Sequence, residues 1–373
     1  MCLLFLFLDN ILWGQTSLVN VRAVSASFQD TTLTSIERIK HIIEEKTREE
    51  NWTVDGLGAI FKKRGSQLSG KKIGLVFGGG GAKAAAEIGV IKVLDSLGIR
   101  PSLIASSSMG AVIGGLYASG FSAKEIEGLM LDEEWLSLFD KDEIASFVGE
   151  NGRTIFGLKK GDVFEEKLRE TLRREKGVCK FGDTKIPFRC TATAITDQKL
   201  LKCVLSEESM DLARAIRASM TFPAPIVGYS PVIYNGMKLV DGGVLDNLPV
   251  DVIKDEVDVV ITIDLEQKRK NSRSGFSIGD LGVGKAFNAK LKNLVGVDLG
   301  LGWLIDWLAS HPDTDKHNEN MEEAKRNGNI YINPDLTGYT IISFERSHLQ
   351  KMIEYGESET LKHIDELRMV NNI

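Results

Sequence analysis

Histidine is scarce in this chain. Of 373 residues only five are histidines (His41, His311, His317, His348 and His363), and none lies between residues 42 and 310. Chemistry carried by that long span has no imidazole of its own to draw on. The four cysteines (Cys2, Cys179, Cys190 and Cys203) show no C-x-x-C spacing, which removes a zinc knuckle and a dithiol redox pair. They suit an oxidising or a reducing compartment equally. Positive charge is not in excess either. The formal net charge is −6 with a pI near 5.6, which argues against a general nucleic-acid binder. There is no internal repeat and no low-complexity segment. Two phosphate-binding fingerprints are also missing. A P-loop needs G-K-[ST], but Lys83 stands between Ala82 and Ala84. The dinucleotide pattern G-x-G-x-x-G fails because residues 82 to 84 contain no glycine.

What remains is an ordinary globular composition, 43% hydrophobic and 26% charged. The length allows one large α/β domain with an appended tail, or two domains. The first residues are apolar (Cys2 to Leu8, continued by Ile11 to Trp13), too short to span a bilayer and without a basic start. With Val24-Ser25-Ala26 beyond it, residues 1–26 are expected to serve as a signal or membrane-attachment segment, in an exported or membrane-associated protein. A mis-assigned start is the alternative. Residues 27–71 read as a helical extension, with Ile36, Ile39, Ile42 and Ile43 on one face, and a Gly/Lys/Ser-rich linker.

The core is expected over residues 72–265. Ile73 to Phe77 reads as a buried strand and Gly78 to Gly81 as a turn. Helices come next at Ala82 to Leu97, Ser122 to Leu131, Val163 to Lys176 and Asp211 to Ala218, with Phe139 to Gly161 irregular. Pro187 to Ala194 reads as a strand paired with Leu200 to Leu205. Lys238 to Val240 and Val257 to Asp264 are further strands, separated by a short helix at Pro249 to Lys254. Strands alternating with helices predict a three-layer α/β/α fold with a mostly parallel central sheet. Residues 266–373 are expected as a mainly helical extension packed on the same domain. They hold a strand at Asn329 to Asn333 and a charged helix from Glu345 to about Met369. The apolar segment Leu299 to Ala309, with Trp303 and Trp307 one helical turn apart, reads as core or as a membrane-interface contact. The basic cluster Lys268, Arg269, Lys270 and Arg273 reads as a solvated loop, with anionic headgroups as the alternative partner.

Three stretches carry chemistry. In IASSSMGAVIGGLY a short apolar run ends in serines, and Met109 and Gly110 then open a small-residue helix. A strand, a sharp turn and a helix lift the Ser108 hydroxyl above the sheet end and aim free helical N–H groups at the same point. A serine-rich turn that merely caps a helix is the alternative. In FGGGGAKAAAEIG only glycine lets backbone N–H groups approach a developing oxyanion, though a purely structural turn would look the same. In LVDGGVLDNLPV, Asp241 ends a strand, and Asp-Gly is also a common turn dipeptide. Its interest lies in the need for a base to activate the serine. His311, in a polar stretch, fits the chain order of a Ser–Asp–His triad but has nothing else to support it.

GGGGAKAAAEIGVIKVL, SSSMGAVIGGLYASG, AIRASMTFPAPI and LVDGGVLDNLPV together resemble the successive motifs of the patatin-like phospholipase family, in order, over about residues 72–265. The resemblance implies a lipid acyl hydrolase of the phospholipase A or lysophospholipase type, working through a Ser–Asp dyad without metal or cofactor. Ser108 would be the nucleophile and Asp241 the base. Gly79, Gly80 and Gly81 would form the oxyanion hole. Lys83, Met109, Gly110, Gly242 and Gly243 would support the site, with Asn247 and Pro249 behind the aspartate turn. A lipid or phospholipid, and with it a membrane surface, would be the partner. Three residues depart from the family pattern: Ser106 at the elbow's first glycine, Ala84 for a glycine, and Glu87 for a common histidine. The alternatives are an esterase or thioesterase on soluble acyl groups, or an impaired lipid-binding protein. The stretch INPDLTGYTIISFERS resembles C-termini of bacterial members and suggests a bacterial protein.

Overall fold

The computed structural model describes residues 71–139, 160–196, 199–221, 231–266 and 314–371. Apart from Ser96–Ile99, the described residues belong to one compact unit, which holds both the sheet and the candidate site. The segments 1–26 and 27–70, Trp303 and Trp307, the basic cluster and His311 lie outside the described residues.

Three strands form the middle of the sheet: β1 (Ile73–Phe77), β2 (Leu103–Ser107) and β7 (Val259–Ile263). Each is buried along its whole length, which is why their sequences are near-continuous apolar runs rather than alternations. β1 pairs in parallel with β2 on one side and with β7 on the other. β8 (Ile330–Ile332) adds to β7 in parallel, so the C-terminal region contributes a strand to the sheet as well as helices. At the other side β3 (Phe188–Thr196) pairs in parallel with β2 and antiparallel with β4 (Lys199–Leu205). β6 (Met237–Asp241) and β5 (Val232–Tyr234) are antiparallel, giving eight strands among the described residues. The fold is mixed α/β with a mostly parallel sheet, as expected.

Alternate residues of β1 meet different layers. Gly74 faces Ile253 and Val257, and Val76 packs with Leu248, Val250 and Ala324 on one face. Phe77, on the opposite face, lies against helix α2 (Met109–Ala118) at Gly114. The remaining helices are α1 (Ala85–Ser96), α3 (Ala123–Met130), α4 (Glu133–Ser137), α5 (Lys160–Lys176), α6 (Leu212–Ser219), α7 (Thr314–Ala324), α8 (Arg346–Lys362) and α9 (Ile364–Asn371). Ser122 and Glu125 close a capping box on α3, which fixes its start one residue after Ser122.

Local differences from the sequence reading have local causes. The helix expected from Ala82 begins as a 3-10 turn over Gly81–Ala84, because the Ala82 N–H is drawn to the Ile341 carbonyl. Pro249 to Lys254 is a 3-10 turn at Val250–Val252 rather than an α-helix. Lys160 and Gly161 are already helical. The single C-terminal helix is two, broken at His363, whose N–H turns back to the Thr360 carbonyl. Among the described residues no helix is long and apolar enough to cross a membrane.

Candidate active site

The geometry begins with one edge of β3. β4 occupies the opposite edge from Cys190 to Thr196. On the free edge β2 runs parallel and ends with Ser107 opposite Thr191. β6 runs the other way and ends with Asp241 opposite Ala192. The two strands therefore meet end to end, one β3 residue apart. The residue after β2 must face the residue that ends β6.

The residue after β2 is Ser108. Its backbone is in the left-handed region (φ 52°, ψ −130°), uncommon for a residue with a Cβ and the mark of a sharp elbow. The side chain does not cap α2. Instead Oγ donates to Asp241 Oδ2 at 2.7 Å. Gly110 in the first turn of α2 is required by packing, since a Cβ there would crowd the Phe77 and Gly78 carbonyls. Met109 is buried at the same turn.

Asp241 is 4% exposed. Burial pushes its pKa up from 3.8 to about 7, against the opposing pull of the Ser108 hydroxyl and the Gly243 N–H. Oδ1 accepts from Gly243 N at 2.7 Å, so the Asp-Gly-Gly turn holds the carboxylate that it follows. Gly242 sits against Thr191 and has no room for a side chain.

The glycine loop lies across the serine. A Cβ on Gly79 would fall 2.8 Å from Ser108 Cβ and onto Asn247 Oδ1. Of the three glycines expected as oxyanion donors, Gly79 has its N–H bonded to the Asn247 carbonyl at 3.0 Å. The N–H groups of Gly80 and Gly81 carry no hydrogen bond among the described residues. Gly81 has φ +56° and a Cβ there would strike the Ile341 carbonyl. The C-terminal stretch thus backs the loop, with Ala82 N bonded to Ile341 O at 2.8 Å.

Several partners escaped the sequence reading. Ser219, at the end of α6, accepts the Ser108 N–H at 3.0 Å, while the Thr221 carbonyl accepts the Asp241 N–H at 2.8 Å. One chain segment therefore holds both members of the pair. The Asn247 amide donates to the Gly79 carbonyl and to Glu266 Oε1, each at 3.1 Å. Glu266 lies 3.6 Å from His317 Nε2, which is 3.2 Å from Asp264 Oδ2. Burial works to raise Asp264, but the hydrogen bonds and charge of His317, with Tyr331 and the Glu266 N–H, hold it below its ordinary value. Burial raises Glu266, with His317 and Lys83 opposing. His317 is thus committed to the carboxylates at the end of β7, whereas Ser108 Oγ is bonded to Asp241.

The three departures sit beside the site. Ser106 and Ala84 are fully buried, Ser106 Oγ lying against Gly114. Glu87 is fully buried in the first turn of α1. Burial pushes its carboxyl well above the ordinary value. No cluster of three or more metal-ligating side chains occurs among the described residues.

A serine on a strand-to-helix elbow, bonded to a strand-end carboxylate on a largely parallel sheet, has the build of a serine hydrolase. Residues 75–254 match the model of the patatin-like phospholipase family. The chain is 27% identical over 360 residues to the lysophospholipase NTE1 of Kluyveromyces lactis, covering 90% of this chain and 22% of that protein. It is 31% identical over 232 residues to the patatin-like phospholipase domain-containing protein ZK370.4 of Caenorhabditis elegans, covering 60% and 15%. The chain therefore spans less than a quarter of the length of these relatives. The relatives are from yeasts and a nematode, so the expectation of a bacterial member is not borne out. Human GIVD cytosolic phospholipase A2 gives a TM-score of 0.38 at 11% identity, covering 91% of this chain and 66% of that one. A likeness of that size does not bear on function.

Proposed function

We propose that the chain is a serine lipid acyl hydrolase of the phospholipase A or lysophospholipase type. The carrying observation is the 2.7 Å hydrogen bond from Ser108 Oγ to the buried Asp241 carboxylate, at a serine with positive φ. A carboxylate whose pKa has been raised to about 7 is a far better proton acceptor near neutrality than an ordinary aspartate.

Ser108 Oγ attacks the ester carbonyl carbon while its proton passes to Asp241 Oδ2. The carbonyl oxygen becomes an oxyanion and is met by the Gly80 and Gly81 N–H groups. On collapse the alcohol leaves with the proton from Asp241, and the acyl group stays on Ser108. Water then gives a proton to Asp241 and attacks the acyl carbon, and Ser108 leaves with that proton as the fatty acid is released. No step calls on an imidazole or a metal ion.

The test is release of free fatty acid from lysophospholipid micelles and from phospholipid vesicles. The full-length wild type should release it. Asp241→Asn, whose amide cannot take the proton, should lose at least about a thousandfold in kcat while folding normally. Turnover confined to short soluble esters would favour an esterase instead. No turnover on any ester would favour a lipid-binding protein.

A further inference from the structure

The backbone of Gly79 is held on both sides of its Cα by one residue. The Asn247 carbonyl accepts the Gly79 N–H, and the Asn247 side-chain amide donates to the Gly79 carbonyl. A peptide is planar, and here trans, so fixing the Gly79 carbonyl also fixes the direction of the next N–H, that of Gly80, on the opposite side. The second amide hydrogen of Asn247 is bound by Glu266 Oε1. The Glu266 backbone is pinned in turn, its N–H donating to Asp264 Oδ1 at 2.9 Å and its carbonyl accepting from Asn333 Nδ2 at 2.9 Å. A line of hydrogen bonds thus runs from the end of β7 through a carboxylate and a carboxamide to the loop over Ser108.

We propose that Asn247 and Glu266 are positioning residues for the oxyanion-binding loop: Glu266 orients the Asn247 carboxamide, and Asn247 orients the Gly79–Gly80 peptide. Neither touches the reacting atoms. The proposal rests on the hydrolase reading above, and on where hydrogen-bond capacity is used. Glu266 occupies the remaining Asn247 donor, which keeps the amide from rotating its oxygen toward the Gly79 carbonyl. Correct aim of the Gly80 N–H matters most once negative charge has developed, so the loss on disturbing the pair should appear in kcat and not in KM.

The experiment is a double-mutant cycle on the full chain with a soluble ester, reading kcat and KM separately. Asn247→Ala and Glu266→Ala should each lower kcat by about 10- to 100-fold with KM within about twofold. The double variant should be no slower than Asn247→Ala, because the two residues act in series. Glu266→Gln keeps an oxygen acceptor for the amide and should restore most of kcat. Melting curves accompany each variant. If Asn247→Ala does not fold, the Glu266→Ala and Glu266→Gln pair decides alone. Unchanged kcat in Glu266→Ala, losses that multiply in the double variant, or a loss carried by KM would overturn the proposal. Those results with a Ser108-dependent wild type leave the hydrolase reading standing. Activity that survives Ser108→Ala would instead remove the reading itself.

Discussion

The Ser108 N–H donates to Ser219 Oγ at 3.0 Å, across 111 residues of chain. An elbow residue with positive φ is held by its surroundings rather than by its own preference. Ser219 is one of the contacts that hold it. Ser219→Ala should therefore lower kcat several-fold with little change in KM, and destabilise the fold by roughly 1–3 kcal/mol by leaving a backbone donor unpaired. Steady-state kinetics and urea unfolding measure both. A KM effect without a kcat effect would move Ser219 from the elbow to substrate binding.

The pH profile should track Asp241. Its pKa is raised to about 7 by burial, and only the deprotonated carboxylate can take the Ser108 proton. kcat/KM should therefore be at its plateau above pH 7 and fall tenfold per pH unit well below it. An acid limb near the ordinary aspartate value of about 3.9 would mean that Asp241 is not desolvated in the free enzyme.

Gly79→Ala should abolish activity. The added methyl would collide with Asn247 Oδ1 and approach Ser108 Cβ to 2.8 Å, so the loop must leave the serine. Loss of ester turnover in a protein that still melts cooperatively is the expected result. Retained activity would show that the loop moves without cost.

Glu87 makes a stability prediction. Its folded pKa is raised by burial, so the stability present below the unfolded carboxyl value of 4.5 is lost progressively as pH rises above it. Glu87→Gln removes that titration. The variant's melting temperature should exceed the wild type's by an amount that grows from pH 5 to pH 8. A constant difference across that range would contradict burial of an ionisable group at this position.

Much of the fold and the site is legible in the chain because it is written over short distances. The run Ile73–Phe77, the glycines and the small residues after Ser108 specify strand, turn and helix within about ten residues each. Asp241 can be named because Asp-Gly-Gly at a strand end is a local pattern. The parts that escape depend on residues far apart in sequence. Nothing near Ser108 announces Ser219, and Asn247 and Gly79 are 168 residues apart. The glycine run points to Gly79 as an oxyanion donor, since composition cannot tell a free N–H from one taken by a distant carbonyl. The end-to-end meeting of β2 and β6 arises from β4 holding the other edge of β3, a fact of topology rather than of motif.

The most direct measurement is the site of covalent capture. The full-length protein is treated with a fluorophosphonate, digested, and mapped by peptide mass spectrometry. A single adduct on Ser108, absent from Ser108→Ala and formed far more slowly by Asp241→Asn, is the predicted result. An adduct on Ser106 or Ser107, or capture that Asp241→Asn leaves unchanged, would contradict the Ser108–Asp241 pair as the catalytic unit.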